Sequence, residues 1–225
     1  MKLIYLNSVD STQTYLHQYI INNNIDDELI CVYTHDQTNG IGSRNNTWDG
    51  EKGNLFFSLA IHQENLPKDL PLSSSSIYFS YLLKDHLVQL GSKLWMKWPN
   101  DLYINDKKIG GTITQLKSNY LLIGTGINLK NTNNNYGYLD IEIDSKELLE
   151  KYLQTLQKDI SWKKIFSKFS VEFDLSKKFK TTIENDKISM GEAYLNEDGS
   201  IQIDGKKVFS SRWQKLLQLQ IKRVE

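Results

Sequence analysis

The sequence has 225 residues and is electrically balanced, with 27 basic and 27 acidic side chains. It therefore lacks the basic excess that is typical of a nucleic-acid-binding surface. The single cysteine, Cys31, excludes an intramolecular disulfide framework or a cysteine-based metal site, and its apolar neighbours predict a buried thiol. The four histidines are scattered without metal-ligand spacing, and no segment reads as a signal peptide or a membrane span. Composition thus predicts a soluble, cytoplasmic protein with one domain of ordinary size and a small appendage.

The first 34 residues predict a strand, a helix and a second strand. Lys2–Leu6 reads as the first strand. The residues of Asp10–Thr12 are good helix N-caps, and the apolar stripe that follows predicts a helix to about Ile21. Leu29–Thr34 is apolar and β-branched, which favours a buried strand.

The next segment, His35–Gly53, is dense in Gly and Asn and has no apolar period. Long loops of this kind in compact domains are either functional or disordered. Gly40 and Gly42 allow backbone N–H groups to turn toward an anion, and Arg44 adds positive charge. The alternative is a flexible surface loop. Trp48 argues against it, because a lone aromatic side chain in a polar loop is costly to expose unless it covers something.

Three elements follow. Asn54–His62 alternates with apolar residues on both faces, which predicts a strand near the sheet centre. Ser73–Gly91 has apolar residues at helical spacing, with serines at its start and a glycine at its end. Leu94–Trp98 reads as a strand.

The segment Lys97–Gly111, K-W-P-N-D-L-Y-I-N-D-K-K-I-G-G, is the most informative part of the chain. Asn100 and Asp101 follow a proline, where turn chemistry presents side chains rather than burying them in a ladder. Lys107 and Lys108 open the next strand, and strand alternation sends them to opposite faces. One lysine can therefore point into a site while the other stays in water.

A glycine pair ends this segment. Gly110 and Gly111 remove side chains where a ligand or another backbone must come close. An acid that can hold a hard cation, Asp101, and a lysine one hairpin away suit a phosphate-bearing substrate. The alternative is a plain hairpin with a solvated charged turn. The combination of Trp-Pro-Asn-Asp with the glycine pair favours a site.

The rest of the chain predicts further strands and helices and then a change of character. The elements in order are strands at Lys108–Leu116 and Tyr120–Leu129, a loop at Asn131–Tyr138, and helices at Ser145–Lys158 and Trp162–Phe173. From Phe179 onward the segments are short and β-like, and Asp198-Gly199 and Asp204-Gly205 are hairpin signals. We therefore expect a domain at 1–178 and a small all-β appendage at 179–225.

Four motifs in this order carry a resemblance to a known family. They are D-S-T at Asp10–Thr12, Q-T-N-G-I-G-S-R at Gln37–Arg44 followed by Trp48, K-W-P-N-D at Lys97–Asp101 with K-I-G-G at Lys108–Gly111, and I-G-T-G-I-N at Ile123–Asn128. The chain resembles biotin–protein ligases, the BirA-like biotin–[acetyl-CoA-carboxylase] ligases. The K-W-P-N-D-L-Y run is highly specific for this family, and the match is close over Asp10–Asn128.

The resemblance implies an α+β fold, in which a mixed β-sheet flanked by helices (the class II synthetase-like, biotin–lipoyl ligase fold) precedes a small C-terminal SH3-like β-barrel. It also implies a two-step reaction. The carboxylate of biotin first attacks the α-phosphorus of ATP, with Mg²⁺, to give biotinyl-5′-AMP and pyrophosphate. A lysine amine of a biotin carboxyl carrier protein then attacks this anhydride and releases AMP.

The same resemblance implies roles for individual residues. The residues implied in catalysis are Lys108, Asp101, Arg44 and Lys97, and Asp101 is also the implied Mg²⁺ ligand. Those implied in biotin binding are Ser11, Thr12, Gln37, Gly40, Lys108 and Gly111. Those implied in ATP or adenylate binding are Gly40, Ile41, Gly42, Ser43, Arg44, Trp48, Asn100 and Asn128.

The chain departs from the family pattern in its Gly-rich loop. The loop commonly reads G-R-G-R-x-G, and here Ile41 and Ser43 replace two arginines. Backbone contacts survive this change and side-chain charge does not, so we expect adenylate retention to depend more on Arg44, Lys108 and metal, or to be looser.

The ligase pattern also begins within ten residues of Met1. We therefore expect no DNA-binding helix-turn-helix domain and no sequence-specific DNA binding.

Other readings stay open at this point. A lipoate or octanoate ligase or transferase shares the fold class and the site lysine. A non-catalytic biotin or nucleotide sensor and a plain interaction domain are alternatives of other classes. A homodimer is possible, and neither the oligomeric state nor the identity of the carrier follows from the sequence.

Overall fold

The computed structural model describes residues 1–23, 29–42, 47–48, 50–130, 136–183 and 186–210. Statements below refer to these residues. The predictions for Ser43 and Arg44, for the first part of the Asn131–Tyr138 loop and for the chain after residue 210 lie outside them.

A mixed β-sheet forms the centre of the molecule, as predicted. The first nine strands are β1 (Lys2–Leu6), β2 (Ile30–Thr34), β3 (Gly40–Ile41), β4 (Thr47–Trp48), β5 (Leu55–His62), β6 (Trp95–Lys97), β7 (Asp101–Ile104), β8 (Lys107–Lys117) and β9 (Tyr120–Ile127). Seven of them form one sheet in the order β1-β2-β5-β9-β8-β7-β6. Strands β1 and β2 are parallel, and the other neighbours are antiparallel.

Four helices cover the two faces of this sheet in the described residues. They are α1 (Thr12–Asn22), α2 (Ser75–Gln89), α3 (Ser145–Leu156) and α4 (Trp162–Glu172), all close to their predicted positions. Strand alternation divides the core: Val32 packs with Leu16 of α1 on one face, and Cys31 belongs to the larger cluster under the other helices. Cys31 is completely buried, as expected, and this burial raises the pKa of its thiol.

The α1 face changes character along the central strands. Leu122 and Ala60 pack with α1 in the smaller apolar cluster. Two residues further along the same face, β9 carries Gly124 and β5 carries Ser58, which are paired in the ladder. The first turn of α1 lies over this pair, because Thr12 bonds to Ser58 and the Gln13 amide packs on Gly124.

The C-terminal segments form small β-sheets, as predicted, but the barrel is not closed over the described residues. Strands β10 (Lys180–Ile183) and β11 (Asp186–Ser189) form one sheet, and β12 (Tyr194–Leu195), β13 (Ile201–Ile203) and β14 (Lys206–Val208) form another. Asp204 and Gly205 both have positive φ, of 48° and 71°, which confirms the predicted hairpin turn.

This β segment is fixed to the rest of the chain through the turn at 196–199. The indole nitrogens of Trp98 and Trp162 donate to the carbonyls of Gly199 and Glu197, each at 2.9 Å. The hydroxyl of Ser74 also donates to the Asp198 carbonyl. Ile201 and Ile203 also belong to the main core cluster, so the β segment shares a core with the rest of the chain. The predicted domain boundary at 178/179 stays a prediction.

Two smaller differences concern local structure. The predicted loop at His35–Gly53 contains the short antiparallel pair β3–β4, which places Trp48 opposite Gly40. A 3₁₀ helix at Phe173–Lys178 continues α4.

No helix in the described parts of the chain is long and apolar enough to cross a membrane.

Candidate active site

A cavity of about 480 Å³ lies on the α1 face of the sheet, beyond the N-terminus of α1. Glycines make up much of its floor. Gly111 pairs with Gly126, and Ile113 pairs with Gly124, in the β8–β9 ladder. A Cβ added to Gly124 would lie 2.6 Å from the Gln13 amide oxygen, so the Gln13 side chain packs directly on this glycine.

One end of the cavity is neutral and closed. This neutral end consists of Ser11, Thr12, Gln13, Gln37 and Ser58. Ser58 is completely buried, and Thr12 is only 3% exposed. Ser11 is the N-cap of α1, with its hydroxyl accepting from the Thr14 N–H, so the helix start fixes the position of Thr12.

Hydrogen bonds connect the neutral end. The backbone N–H and the hydroxyl of Thr12 both donate to the Gln37 side-chain oxygen, at 2.9 and 3.2 Å. The Thr12 and Ser58 hydroxyls are 2.8 Å apart, and because Thr12 donates to Gln37, Ser58 donates to Thr12. Backbone bonds between Val9–Asp10 and Asp36–Asn39 hold Gln37 against the helix start. The predicted D-S-T and Q-T motifs thus meet at one point.

The other end of the cavity is charged and more open. This charged end consists of Asp101 and Lys108, whose carboxylate Oδ1 and ammonium Nζ are 2.6 Å apart. Their side chains are 19% and 32% exposed. Lys107, the next residue on the strand, is exposed on the other side, which confirms the predicted division of the two lysines. The β7–β8 pairing places Asp101 opposite Gly111, and a Cβ there would lie 3.2 Å from the Asp101 carboxylate.

Trp48 lies between the two ends and packs on the glycine floor. A Cβ at Gly126 would lie 2.7 Å from the indole Cε2 atom. The Lys108 ammonium is 5.4 Å from the centroid of the ring, within the range of a cation–π contact. The Trp48 indole N–H is buried and has no hydrogen-bond partner among the described residues. The indole is thus held over the cavity floor with a free donor.

Lys97 reaches the charged end from outside the main cavity. Its ammonium is 3.5 Å from Asp101 Oδ2 and less than 6 Å from the rings of Tyr103 and Phe179. It lines a second cavity of about 160 Å³ that shares Asn100, Asp101 and Lys108 with the first. Burial and the nearby Asp101 raise the pKa of Tyr103 to about 12, so Tyr103 is a neutral wall beside Lys97.

The last two predicted residues, Asn100 and Asn128, are held in place by hydrogen bonds from their side-chain amides. The Asn100 amide donates to the Thr112 carbonyl, and the Asn128 amide donates to the Gly137 carbonyl at 3.1 Å. The second bond places Tyr136 at the cavity wall.

The described residues form no protein-only metal site, and the role of Asp101 as a Mg²⁺ ligand stays a prediction. No group of three His, Cys, Asp or Glu side chains that could hold a metal occurs among the described residues. Both carboxylate oxygens of Asp101, the predicted Mg²⁺ ligand, already face lysines. The geometry therefore makes Asp101 the counter-ion of two ammonium groups.

Most of the predicted site residues line the cavity. They are Ser11, Thr12, Gln37, Ile41, Gly42, Trp48, Asn100, Asp101, Lys108, Gly111 and Asn128. Two predicted residues do not line it: Lys97 lies in the second cavity, and buried Gly40 packs beside Trp48 and Gln37. Ser43 and Arg44 are outside the described residues.

The sequence analysis missed Gln13, Thr47, Ser58, Ile113 and Tyr136, which also line the cavity. For Ser58 there was a signal, because it is a hydroxyl on a predicted central strand between apolar neighbours. Gln13 follows the D-S-T motif directly, and its contact with β9 comes only from tertiary packing.

The model of the biotin/lipoate A/B protein ligase family matches residues 5–130 of this chain. The chain belongs to this family. The matched range contains every described residue of the cavity except Tyr136.

Individual relatives agree with the family. The bifunctional ligase/repressor BirA of Escherichia coli is 32% identical over 128 residues, which is 54% of this chain and 38% of that protein. BirA of Bacillus subtilis is 30% identical over 145 residues, 60% of this chain and 42% of that protein. The chain thus spans about two fifths of the length of these curated relatives.

Solved structures extend the likeness to nearly the whole chain. The biotin acetyl coenzyme A carboxylase synthetase of Helicobacter pylori, with bound biotinylated ATP, has a TM-score of 0.87 and 36% identity, over 92% of this chain and 99% of that chain. The biotin protein ligase of Aquifex aeolicus in complex with biotin and ATP has a TM-score of 0.72 and 21% identity, over 93% and 96% of the two chains. The second likeness concerns the fold alone.

Proposed function

We propose that this protein is an ATP-dependent biotin–protein ligase. The observation that carries the proposal is a cavity that has a neutral hydrogen-bonding end and a lysine–carboxylate end, in a family member that is 36% identical to the H. pylori synthetase. A cavity of this kind can bind the polar head group of a ligand at one end and its carboxylate at the other.

The first step joins two anions. A carboxylate oxygen of biotin attacks the α-phosphorus of ATP, the bond from this phosphorus to the β-phosphate bridging oxygen breaks, and pyrophosphate leaves. Fixed positive charge at the point of attack lowers the repulsion and stabilises the developing charge. Lys108 is the residue in position for this role, because its ammonium lies at the charged end above the glycine floor.

The proposed role of Asp101 is to position the ammonium groups of Lys97 and Lys108. Paired with Lys108 at 2.6 Å and with Lys97 at 3.5 Å, it holds both ammonium groups on the side of the arriving phosphates. Mg²⁺ enters the proposal as part of the substrate Mg–ATP, since this metal is commonly bound with substrate phosphates.

The middle of the cavity suits the adenylate. The indole of Trp48 is the flat surface for the adenine ring, and Ile41, Gly42 and Asn128 line the same wall. A covered site of this kind holds the mixed anhydride away from water until the acceptor arrives. Arg44 and Ser43 retain their predicted roles in this proposal.

The second step uses a lysine amine of a biotin carboxyl carrier protein. The neutral amine attacks the acyl carbon, the bond from this carbon to the phosphate oxygen breaks, and AMP leaves as the amide forms. The amine loses one proton to solvent in this step. The acceptor protein and a homodimeric state remain predictions.

Product analysis after mixing the protein with biotin and Mg–ATP tests the proposal. We expect biotinyl-5′-AMP and one pyrophosphate per adenylate, followed by amide formation when a carrier domain is added. Lipoate and octanoate are the comparison substrates. Pyrophosphate release with either of these and none with biotin contradicts the proposal in favour of a lipoyl-type enzyme, and biotin binding without adenylate formation contradicts it in favour of a sensor.

A further inference from the structure

Strand β6, which carries Lys97, lies at one edge of the main sheet over the described residues. Its strand neighbour is β7, and in this pairing Lys97 is opposite Asp101. Successive backbone N–H groups of a strand point to opposite sides, so the N–H groups of Met96 and Trp98 share one side of β6. The N–H groups on the free side of an edge strand need partners from outside the sheet.

Side chains that follow one another at the end of α4 supply these partners. The Met96 N–H donates to Glu172 Oε1 at 2.5 Å, and the Trp98 N–H donates to the Ser176 hydroxyl at 3.0 Å. Glu172 is the last residue of α4, and Ser176 lies four residues later in the 3₁₀ helix. The two hydrogen bonds thus hold the edge strand on both sides of Lys97.

The acceptors on this side of β6 are themselves fixed. The Oε2 atom of Glu172 is 2.7 Å from the ammonium of Lys84 on α2, and both side chains are 12% exposed. The same ammonium lies 4.7 Å from the centroid of the Tyr81 ring. Ser176 is completely buried. The two oxygens of the Glu172 carboxylate therefore have separate partners, one on α2 and one on β6, and connect the edge strand rigidly to the helix layer.

We infer that Glu172 and Ser176 are positioning residues that set the place of Lys97 in the adenylation site. This inference rests on the proposed function and deepens it. The Lys97 ammonium is 3.5 Å from Asp101, which also pairs with Lys108, so a shift of β6 alters the placement of both ammonium groups. A displacement of about 1 Å at the reacting groups can lower a rate by about 100-fold. The neutral end of the cavity is built on α1 and β5, so biotin binding should not depend on this support.

The experiment compares two double variants that differ in one acceptor. Lys84→Met/Glu172→Gln removes the ion pair and keeps a side-chain oxygen for the Met96 N–H, whereas Lys84→Met/Glu172→Met removes both. At saturating biotin and Mg–ATP, we expect the second variant to form biotinyl-AMP about 10- to 100-fold more slowly than the first. Titration calorimetry should give biotin dissociation constants that agree within about twofold. Thermal unfolding verifies that both variants are folded.

A single substitution tests the other hydrogen bond and leaves the ion pair intact. For Ser176→Ala we expect the rate to fall by about 3- to 10-fold, because the buried Trp98 N–H loses its acceptor. Ser170→Ala is the control, since it removes an exposed hydroxyl of α4. Both effects should disappear in a Lys97→Ala background, because residues that act through one another are not additive.

The outcomes separate the two proposals. If the wild type forms biotinyl-AMP and the two double variants form it at equal rates, the inference is wrong and the proposed function stands. A biotin affinity that falls together with the rate assigns these residues a general packing role and overturns the inference. Rate differences that persist in the Lys97→Ala background also overturn it. A wild type that does not form biotinyl-AMP overturns the proposed function and the inference with it.

Discussion

The two ends of the cavity differ in the kind of interaction that they offer. The neutral end is closed and contains hydroxyls and amides fixed by the start of α1 and by β5. The charged end is partly open and contains a lysine–carboxylate pair fixed by the β7–β8 hairpin. Neutral hydrogen bonds give selectivity at little desolvation cost, while charges are useful where substrate charge develops. Under the proposed function, recognition and chemistry therefore belong to different elements of the fold.

The largest effect should come from the charged end. We expect Lys108→Ala to lower the rate of biotinyl-AMP formation by roughly 10²- to 10³-fold, because it removes the positive charge at the point of attack. Lys107→Ala is the matched control, since it removes the adjacent exposed lysine of the same strand. Pyrophosphate release at saturating substrates measures the effect, and equal rates for the two variants would refute the role given to Lys108.

A change at the neutral end should affect binding more than rate. Thr12→Val keeps the shape and removes the hydroxyl that connects Ser58 with Gln37. We expect biotin affinity to fall by about 10-fold or somewhat more, because the buried Ser58 hydroxyl loses its partner and the Gln37 oxygen keeps only the backbone bond from Thr12. The rate at saturating biotin should change little. Thr14→Val, at an exposed position of the same helix, is the control, and a loss of rate with unchanged affinity would contradict the division.

The floor between the two ends can be tested with a single methyl group. Gly126→Ala places a Cβ 2.7 Å from the Trp48 ring, so the indole must move. Overpacking of this kind costs about 1–3 kcal/mol in unfolding free energy. Chemical denaturation measures it, with Gly191→Ala as the control because the nearest atom to its added Cβ is 3.6 Å away. An unchanged stability would mean that Trp48 is not held on the floor.

The smallest predicted effect is on the salt dependence of binding. The methyl ester of biotin carries no charge, so its affinity should stay within about twofold between low and high salt. Mg–ATP binds through charged groups at the other end, and its affinity should fall several-fold over the same range. Calorimetry of both ligands checks this, and an equal salt dependence would remove the distinction between the ends.

The sequence alone predicted the order of elements well. The alternation of apolar residues in β5 and the apolar stripes of α2–α4 predict burial directly. Most side chains that face the core are apolar, whichever element they pack against. The short motifs also identified most of the cavity lining, including Asp101 and Lys108 at the charged end. The sequence also predicted the hairpin turn at Asp204-Gly205, where both residues have positive φ.

Tertiary structure decided what no local pattern contains. The contact of Gln13 with Gly124 joins α1 to β9 across more than a hundred residues. The sharing of Asp101 by Lys97 and Lys108 depends on the registers of both the β6–β7 and the β7–β8 pairs. The arrangement of the C-terminal sheets over the described residues and the position of Lys97 outside the main cavity have the same origin. The spacing of residues in the sequence determines the face of the helix or strand on which a side chain lies. The packing of distant elements determines which residues that side chain contacts.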